Sequence, residues 1–496
     1  MIKEIEKTLK RYLKGKNKIT MGVVVAFLLG SSFAFGDVTI KYEGSTIKIL
    51  DKSGNVTEIG TVTKNSANEF TWTLPEGVGI NETVKIDDSI NTNNIKVNIV
   101  NSRNINSSGT TANSGNGIYS FLDSGTSTIG NIINSGTISG ESTSGNDSGN
   151  GIYFYLNSGS TIGDIINNGT ISGSTTSNGT YSGNGIHFYS ATIGDIINYG
   201  IISGKSNGGN NSGNGIFSYS DISSCIIGNI TNYGTISGST TSNGNDSGNG
   251  IYSYSVNGVS SIGNIKNYGV ISGNSTSGSY SGSAIVAYST KEATIGDVVN
   301  NGNISGGDGI YIKSYLEDVG IRNITNNGII SGADSSIYVW TDDCISTIGN
   351  ILNRGNLVGG FMASGGEKST IESISNSGTI TSAFSDGIYL VSSVGKSTIK
   401  LFSNSGVIMG GQNGIYIYGD SDSGIANYNN YGLVIGKIPV DIVNGIQIDK
   451  PEGQGMAITI ESDGSIKTNG ITSGTGGSTG IYSIINTTLQ NGGVDA

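Results

Sequence analysis

One unit recurs along most of this chain, and that recurrence limits the folds available to it. The unit is clearest at residues 148–173, SGNGIYFYLNSGSTIGDIINNGTISG. It joins a G-I-Y segment, a T-I-G-N-I segment and an N-x-G-x-I-S-G segment. The Ile of the first segment recurs at Ile118, Ile152, Ile186, Ile216, Ile251, Ile285, Ile310 and Ile337. Phe361 takes the place in a degenerate copy, and Ile388, Ile415, Ile446 and Ile481 extend the series to thirteen copies, 24 to 35 residues apart. The motif segments keep their length, while Ser/Gly/Asn tracts such as STTSNGTYSGNG absorb the variation. Strands that stack must hold register, whereas surface connections can vary. One copy is too small to bury its own apolar face, so copies must stack. The expected fold is all-β: a right-handed parallel β-helix (β-solenoid) of about 13 imperfect coils, a rod of roughly 60 Å at ~4.8 Å per coil.

Comparison of copies assigns faces. The residue two before the repeated Asn is Ile132, Ile165, Ile196, Ile230, Ile265, Val298, Ile324, Ile351, Ile374 or Phe402. It is always apolar and is expected inside. The next position holds Ile133, Thr231, Lys266 or Ser375 and is expected outside. The Asn recurs from Asn134 and Asn167 to Asn404 and Asn430. Asn tolerates a left-handed turn, and stacked amides can bond in a ladder. The Gly two residues later, as at Gly136 and Gly169, suggests a positive φ. Residues 37–110 lack the repeat but alternate as strands do (DVTIKY, STIKILD, EFTWTL) and are expected to form a β-rich N-terminal cap. The repeats then occupy 111–496.

Residues 1–36 read as a secretory signal. Seven Lys or Arg against two Glu in the first 20 residues precede an apolar run, Met21–Gly30, and a small-residue stretch. Cleavage is expected between Gly36 and Asp37. Without those seven basic and two acidic residues, 19 basic and 35 acidic remain, a formal charge of −16. That balance disfavours nucleic acid as a partner, because phosphate contacts need Lys and Arg. Cys225 and Cys344 are about four coils apart, roughly 19 Å, too far to bridge.

The long basic lead, KRYLKGKNKIT, and copies such as STIGNIINSGTISG resemble autotransporter (type V secretion) proteins of Gram-negative bacteria and their β-helical passenger repeats. The resemblance implies a passenger carried to the cell surface or outside by an outer-membrane β-barrel translocator. It also implies a role in adhesion or host contact. The alternating segments of such a barrel are not found in this sequence, which ends in GIYSIINTTLQNGGVDA, inside a repeat. A truncated passenger is the favoured expectation, a separate barrel chain the alternative. A fragment without function of its own is a further one.

Catalytic chemistry is sparse, and neither an enzyme nor a cofactor or metal site is expected. His187, the single His, takes the place of Tyr153 and Tyr252 and reads as one member of a stack. VSSVGKST lacks the first Gly of a phosphate loop, since Leu390 stands there. Asp164 and Asp195 recur in adjacent copies, but Asn131 and Asn229 replace them, as in a turn. Asp420 and Asp422 read as a solvated loop rather than a calcium site. A secreted carbohydrate-active lyase or hydrolase on the same fold is the competing reading. The distinctive surface feature is aromatic. Tyr119, Tyr153, His187, Phe217 and Tyr252 follow the repeated Ile, and Phe121, Tyr155, Tyr189, Tyr219, Tyr254 and Tyr288 lie two further on. With Ile inside, these rows run up the outside of the rod. They either only stabilise the stack or form a contact surface for glycans or proteins. A reversed assignment, with Ile outside, places them in the core.

Overall fold

The computed structural model describes residues 37–446, apart from 78, 94, 123–124, 242–243 and 279, together with strands 456–460 and 466–469. The signal segment, Gly36 and Ile481 lie outside the described residues. The chain is an all-β parallel solenoid of about 12 turns, 60% strand and 1% helix.

Each coil contributes one strand to each of three parallel ladders. The first runs through the G-I-Y segments, pairing Ile118 with Ile152, Ile152 with Ile186, and so on to Ile388 with Ile415. The second holds Ile132–Asn134 against Ile165–Asn167 and their equivalents, and the third Thr137–Ser142 against Thr170–Thr175. The repeated Ile of the first ladder and the residue two before Asn are both buried in a continuous core. The reversed assignment is thereby excluded. Ile446 departs from the expected series: Val440 pairs with Ile415, and Ile446 is 61% exposed. The strand partner follows Ile415 by 25 residues, and counting to the next G-I pair overshoots it by six.

The ladders also extend below residue 111. Val84–Ile86, Lys96–Asn101 and Asn104–Gly109 pair in register with the first, second and third ladders. Before them, Val38–Glu43 and Glu69–Leu74 supply a further layer. Each of these two strands has an antiparallel partner, Thr46–Leu50 and Thr61–Lys64 respectively. Those hairpins occupy strand edges that would otherwise be open to pairing with another chain. Trp72 and Leu74 fill the core of this end.

The repeated Asn side chains form one unbroken ladder. Asn101 Nδ2 donates to Asn134 Oδ1 at 2.8 Å, Asn134 to Asn167 at 2.8 Å, and the series continues to Asn404 and Asn430 at 2.8 Å. Each amide also donates to carbonyls of its own and the next coil, as Asn167 does to Gly169 O and Ile201 O. None of these Asn has a positive φ, nor do Gly136 and Gly169. The expectation of a left-handed turn at this motif is corrected: glycine is needed for closeness. A Cβ on Gly169 would lie 1.9 Å from Gly136 O in the preceding coil. The Asn232→Ala variant strips the acceptor from Asn198 and the donor from Asn267 in a dry interior. It is expected to destabilise the central coils by roughly 2–3 kcal/mol, measured as a lowered urea midpoint and faster amide exchange in residues 196–236.

Candidate functional site

The outer aromatic rows are where this solenoid differs from a bare stack of coils. Tyr153, His187, Phe217 and Tyr252 lie on the face opposite the Ile core, yet are buried. A second core covers them. The connections between third-ladder and first-ladder strands fold back over the sheet. Each carries one non-glycine residue in the left-handed conformation: Asn113, Asp147, Tyr181, Asn211, Asp246 and Tyr280, with φ from 55° to 60°. What sits there matches what lies beneath. Tyr153 donates its hydroxyl to Asp147 at 3.1 Å, and Tyr252 to Asp246 at 2.8 Å. At His187 and Val286, which have no hydroxyl, the loop supplies Tyr181 or Tyr280, while the loop before Phe217 carries Asn211. The Tyr181 ring then lies 5.8 Å from His187 and 5.3 Å from Tyr219.

These connections have their own ladder. Asn150 N–H donates to Asn116 Oδ1 at 2.9 Å, and the pattern repeats through Asn184, Asn214 and Asn249 to Ser283 N–H at 2.8 Å. The length-variable Ser/Gly/Asn tracts are therefore ordered packing elements. This corrects the expectation of two open aromatic ladders. Tyr153 and Tyr252 are enclosed; Tyr119, Tyr155, Tyr189 and Tyr254 are half-buried; Tyr219 and Tyr288 are almost covered. The rings also turn their faces toward one another along the rod, Tyr155 and Tyr189 being 4.4 Å apart with planes 8° from parallel. Tyr189 and Tyr219, by contrast, meet at 64°. A second, exposed stack escaped the sequence reading. Tyr199, Tyr233 and Tyr268 follow the ladder Asn and stand 4.9 Å apart, also face to face.

The polar residues weighed for chemistry fall into the frame. His187 is sandwiched between Tyr153 and Phe217, and burial pushes its pKa down to about 3. Asp164 accepts the N–H of Asp195 at 2.9 Å, and Asp195 that of Asn229 at 2.8 Å, a third corner ladder. Asp420 accepts the N–H of Asp422 at 2.9 Å within its turn. Cys225 and Cys344 are unpaired. No cluster of three or more His, Cys, Asp or Glu suited to a metal occurs among the described residues.

The cover stops abruptly. From residue 303 onward the connections shrink; Asn303–Ser314 runs as one strand through what had been a loop. Past Tyr280 and Ser281 the aromatic face emerges into a cleft of about 480 Å³. Its floor holds Tyr311, Tyr338, Trp340 and Met362, and its wall holds Asp308 and Asp334. Lys313 takes the place of Tyr288 in the outer row and is buried. Its Nζ donates to Tyr280 and Tyr315 hydroxyls, both at 3.1 Å, and sits 3.7 Å from the centre of the Trp340 ring. Asp308 occupies the Asn116 corner position. Its Oδ1 is buried without a hydrogen-bond partner, and burial, with Asp334 nearby, pushes its pKa up to about 7. Asp386, at the same corner further on, accepts Asn413 N–H at 2.7 Å. Sequence reading passed over this cleft, though the change of N-G-I to D-G-I at Asp308 and of Tyr to Lys at Lys313 was visible. A second cavity of about 410 Å³ shares Asp334 and is fronted by Phe384, which is 85% exposed. No family model, curated protein or solved structure matches the chain.

Asp246 gives this cover a pH dependence. Burial raises its carboxyl from 3.8 to about 6, with the Tyr252 hydroxyl opposing the shift. Folding therefore disfavours the ionised form. The stability contribution is complete below about pH 4 and lost as pH rises through 6, a change of about 2–3 kcal/mol. Asp246→Asn keeps the left-handed turn, as Asn211 does, and is expected to flatten this slope and raise the melting temperature at pH 7.5. Thermal unfolding of both proteins from pH 4 to 8 checks it.

Proposed function

We propose that this chain is an exported passenger of the autotransporter type, displayed at the bacterial surface or released from it. Its role is adhesive contact rather than catalysis. The observation that carries the reading is the fold behind the N-terminal segment. A basic, apolar, small-residue sequence precedes a parallel solenoid whose coils are joined almost wholly by local, in-register hydrogen bonds. Such a chain can fold coil by coil as it emerges, because each coil needs only its neighbour. Near-absence of Pro, 3 in 496 residues, removes slow isomerisation steps from that process. An outer-membrane β-barrel outside this sequence is the proposed translocator. Surface glycans or proteins are the proposed partners, and the acidic charge argues against nucleic acid.

Processing at Gly36 fits the local structure. The backbone N–H of Asp37 lies 3.2 Å from Glu82 Oε2, and the Asp37 side chain pairs with Lys85 at 3.1 Å. Cleavage there would turn that N–H into an ammonium facing a carboxylate, strengthening the contact. The competing reading, a carbohydrate-active enzyme, has one specific observation in its favour. Asp308, whose carboxyl pKa is pushed up to about 7 by burial and by Asp334, has a second carboxylate near it, as an acid and its partner would. Release of reducing ends from polysaccharides, abolished by Asp308→Asn, would establish it.

The export reading is tested in the native host. The mature protein is expected to begin at Asp37 and to be cut by protease added to intact cells. Retention of residues 1–20 on the mature chain, or protection from that protease, contradicts it.

A further inference from the structure

We infer that the cleft where the aromatic cover ends is a binding site for a neutral saccharide, with Trp340 as its platform and Asp308 as its hydrogen-bonding anchor. The inference rests on the adhesive reading only for its biological role; the site itself rests on geometry.

A sugar ring is recognised by an apolar face against its C–H side and by polar groups for its hydroxyls. From Phe121 to Tyr288 each aromatic ring of the outer row is followed by another, so ring faces there are consumed by the stack. Trp340 stands beyond the end of that run, with Lys313 between it and Tyr288. Lys313 covers one face at 3.7 Å. The next residue in register is Ser364, too small to cover an indole. The platform is also held in place before any ligand arrives. Lys313 clamps Trp340, Tyr280 and Tyr315 together through one cation and two hydrogen bonds. Such preorganisation lowers the cost of binding.

The polar wall completes the site. A buried Asp308 oxygen with no partner costs stability unless something outside the chain satisfies it. Five earlier coils carry Asn at this corner, and Asp386 further on keeps its carboxyl there by accepting Asn413 N–H, so an orphaned carboxyl oxygen is not a requirement of the corner. A group that titrates near neutrality can both donate to and accept from hydroxyls. Lys313 is already spent on aromatic rings and phenol oxygens. The remaining wall groups, Asp308 and Asp334, are both carboxyls and add no positive charge, which disfavours sialylated or sulfated sugars. Two cavities of about 480 and 410 Å³ meeting at Asp334 have room for more than one sugar unit, and Phe384 marks the far end.

Tryptophan fluorescence gives a direct readout. The chain has only two Trp, and Trp72 is fully buried with its indole N–H bonded to Ile59 O. A saccharide-induced change in emission therefore reports Trp340. The purified protein from Asp37 onward is applied to an array of neutral and sialylated glycans, then titrated with mannotriose, chitotriose and N-acetyllactosamine. At least one neutral glycan is expected to bind and shift the emission. Asp308→Asn and Trp340→Ala are each expected to weaken that binding by about tenfold or more. Circular dichroism and melting establish that the variants fold. Ser364 and Val391 already occupy the Trp340 row, so a small residue is compatible with the coil. Binding of no neutral glycan, preference for sialylated ones, or unchanged binding in both folded variants overturns the inference. Full binding by the variants would displace this site while leaving an adhesive role intact, whereas a protein that is never exported would defeat that role and leave the site standing.

Discussion

The structure depends on the hydrogen bonding of backbone groups at the corners of the coil. Parallel strands satisfy one another along their length, but a chain that turns three times per coil leaves N–H and carbonyl groups at each bend, some of them in a dry interior. An unpaired buried group costs about 1–3 kcal/mol, and a dozen coils would multiply that beyond what the core could offset. The chain meets the demand with side-chain amides that reach to the adjacent coil. The inner ladder runs from Asn101 to Asn430, the outer turn ladder includes Asn131, Asp164 and Asp195, and the covering connections have Asn116 to Asn249. Asn is suited to the inner ladder because one group donates and accepts at once. Register then follows, since slipping one coil by a residue would break all three ladders together.

That dependence explains what the sequence revealed. A position that must match its copy above and below repeats strictly, so Ile132, Ile165 and the ladder Asn could be assigned to the interior by comparison within the chain alone. Gly136 and Gly169 also repeat, but repetition does not say why: positive φ and close approach both demand glycine, and only coordinates separate them. The covering loops were illegible for the opposite reason. Their lengths vary, and variable length usually marks a solvent loop. Here the variation lies at the tip, while Asn150, Asn184 and Asn214 hold the base in register. The pairing of Asp147 with Tyr153 and Asp246 with Tyr252 is visible in the sequence only after the loop is known to fold back.

The orientation of the rings carries a wider physical consequence. Strand spacing and aromatic stacking distance nearly coincide, so identical rings in successive coils can stack face to face. Tyr189 and Tyr219 meet at 64°, but Tyr155 and Tyr189 lie face to face. Tyr199, Tyr233 and Tyr268 do so even in solvent. Perfect repetition of an aromatic residue thus hides the surface that makes it useful for recognition. A solenoid built this way gains rigidity from its rows but can display an open ring face only where a row is interrupted.

In this chain the interruptions coincide. Within three successive coils, those of Lys313, Trp340 and Ser364, the covering connection is lost, the corner held by Asn in earlier coils carries Asp308, and the tyrosine row gives way to Lys, then Trp, then Ser. Each change alone costs stability: an uncovered apolar face, an unsatisfied carboxyl oxygen, a cation taken out of water. Stability alone favours one more covered copy, and the neighbouring coils show that such a copy was available. Departures gathered within a few coils fit a ligand that rests on Trp340 and bonds Asp308, with Lys313 holding the platform, better than drift, which has no reason to place them together.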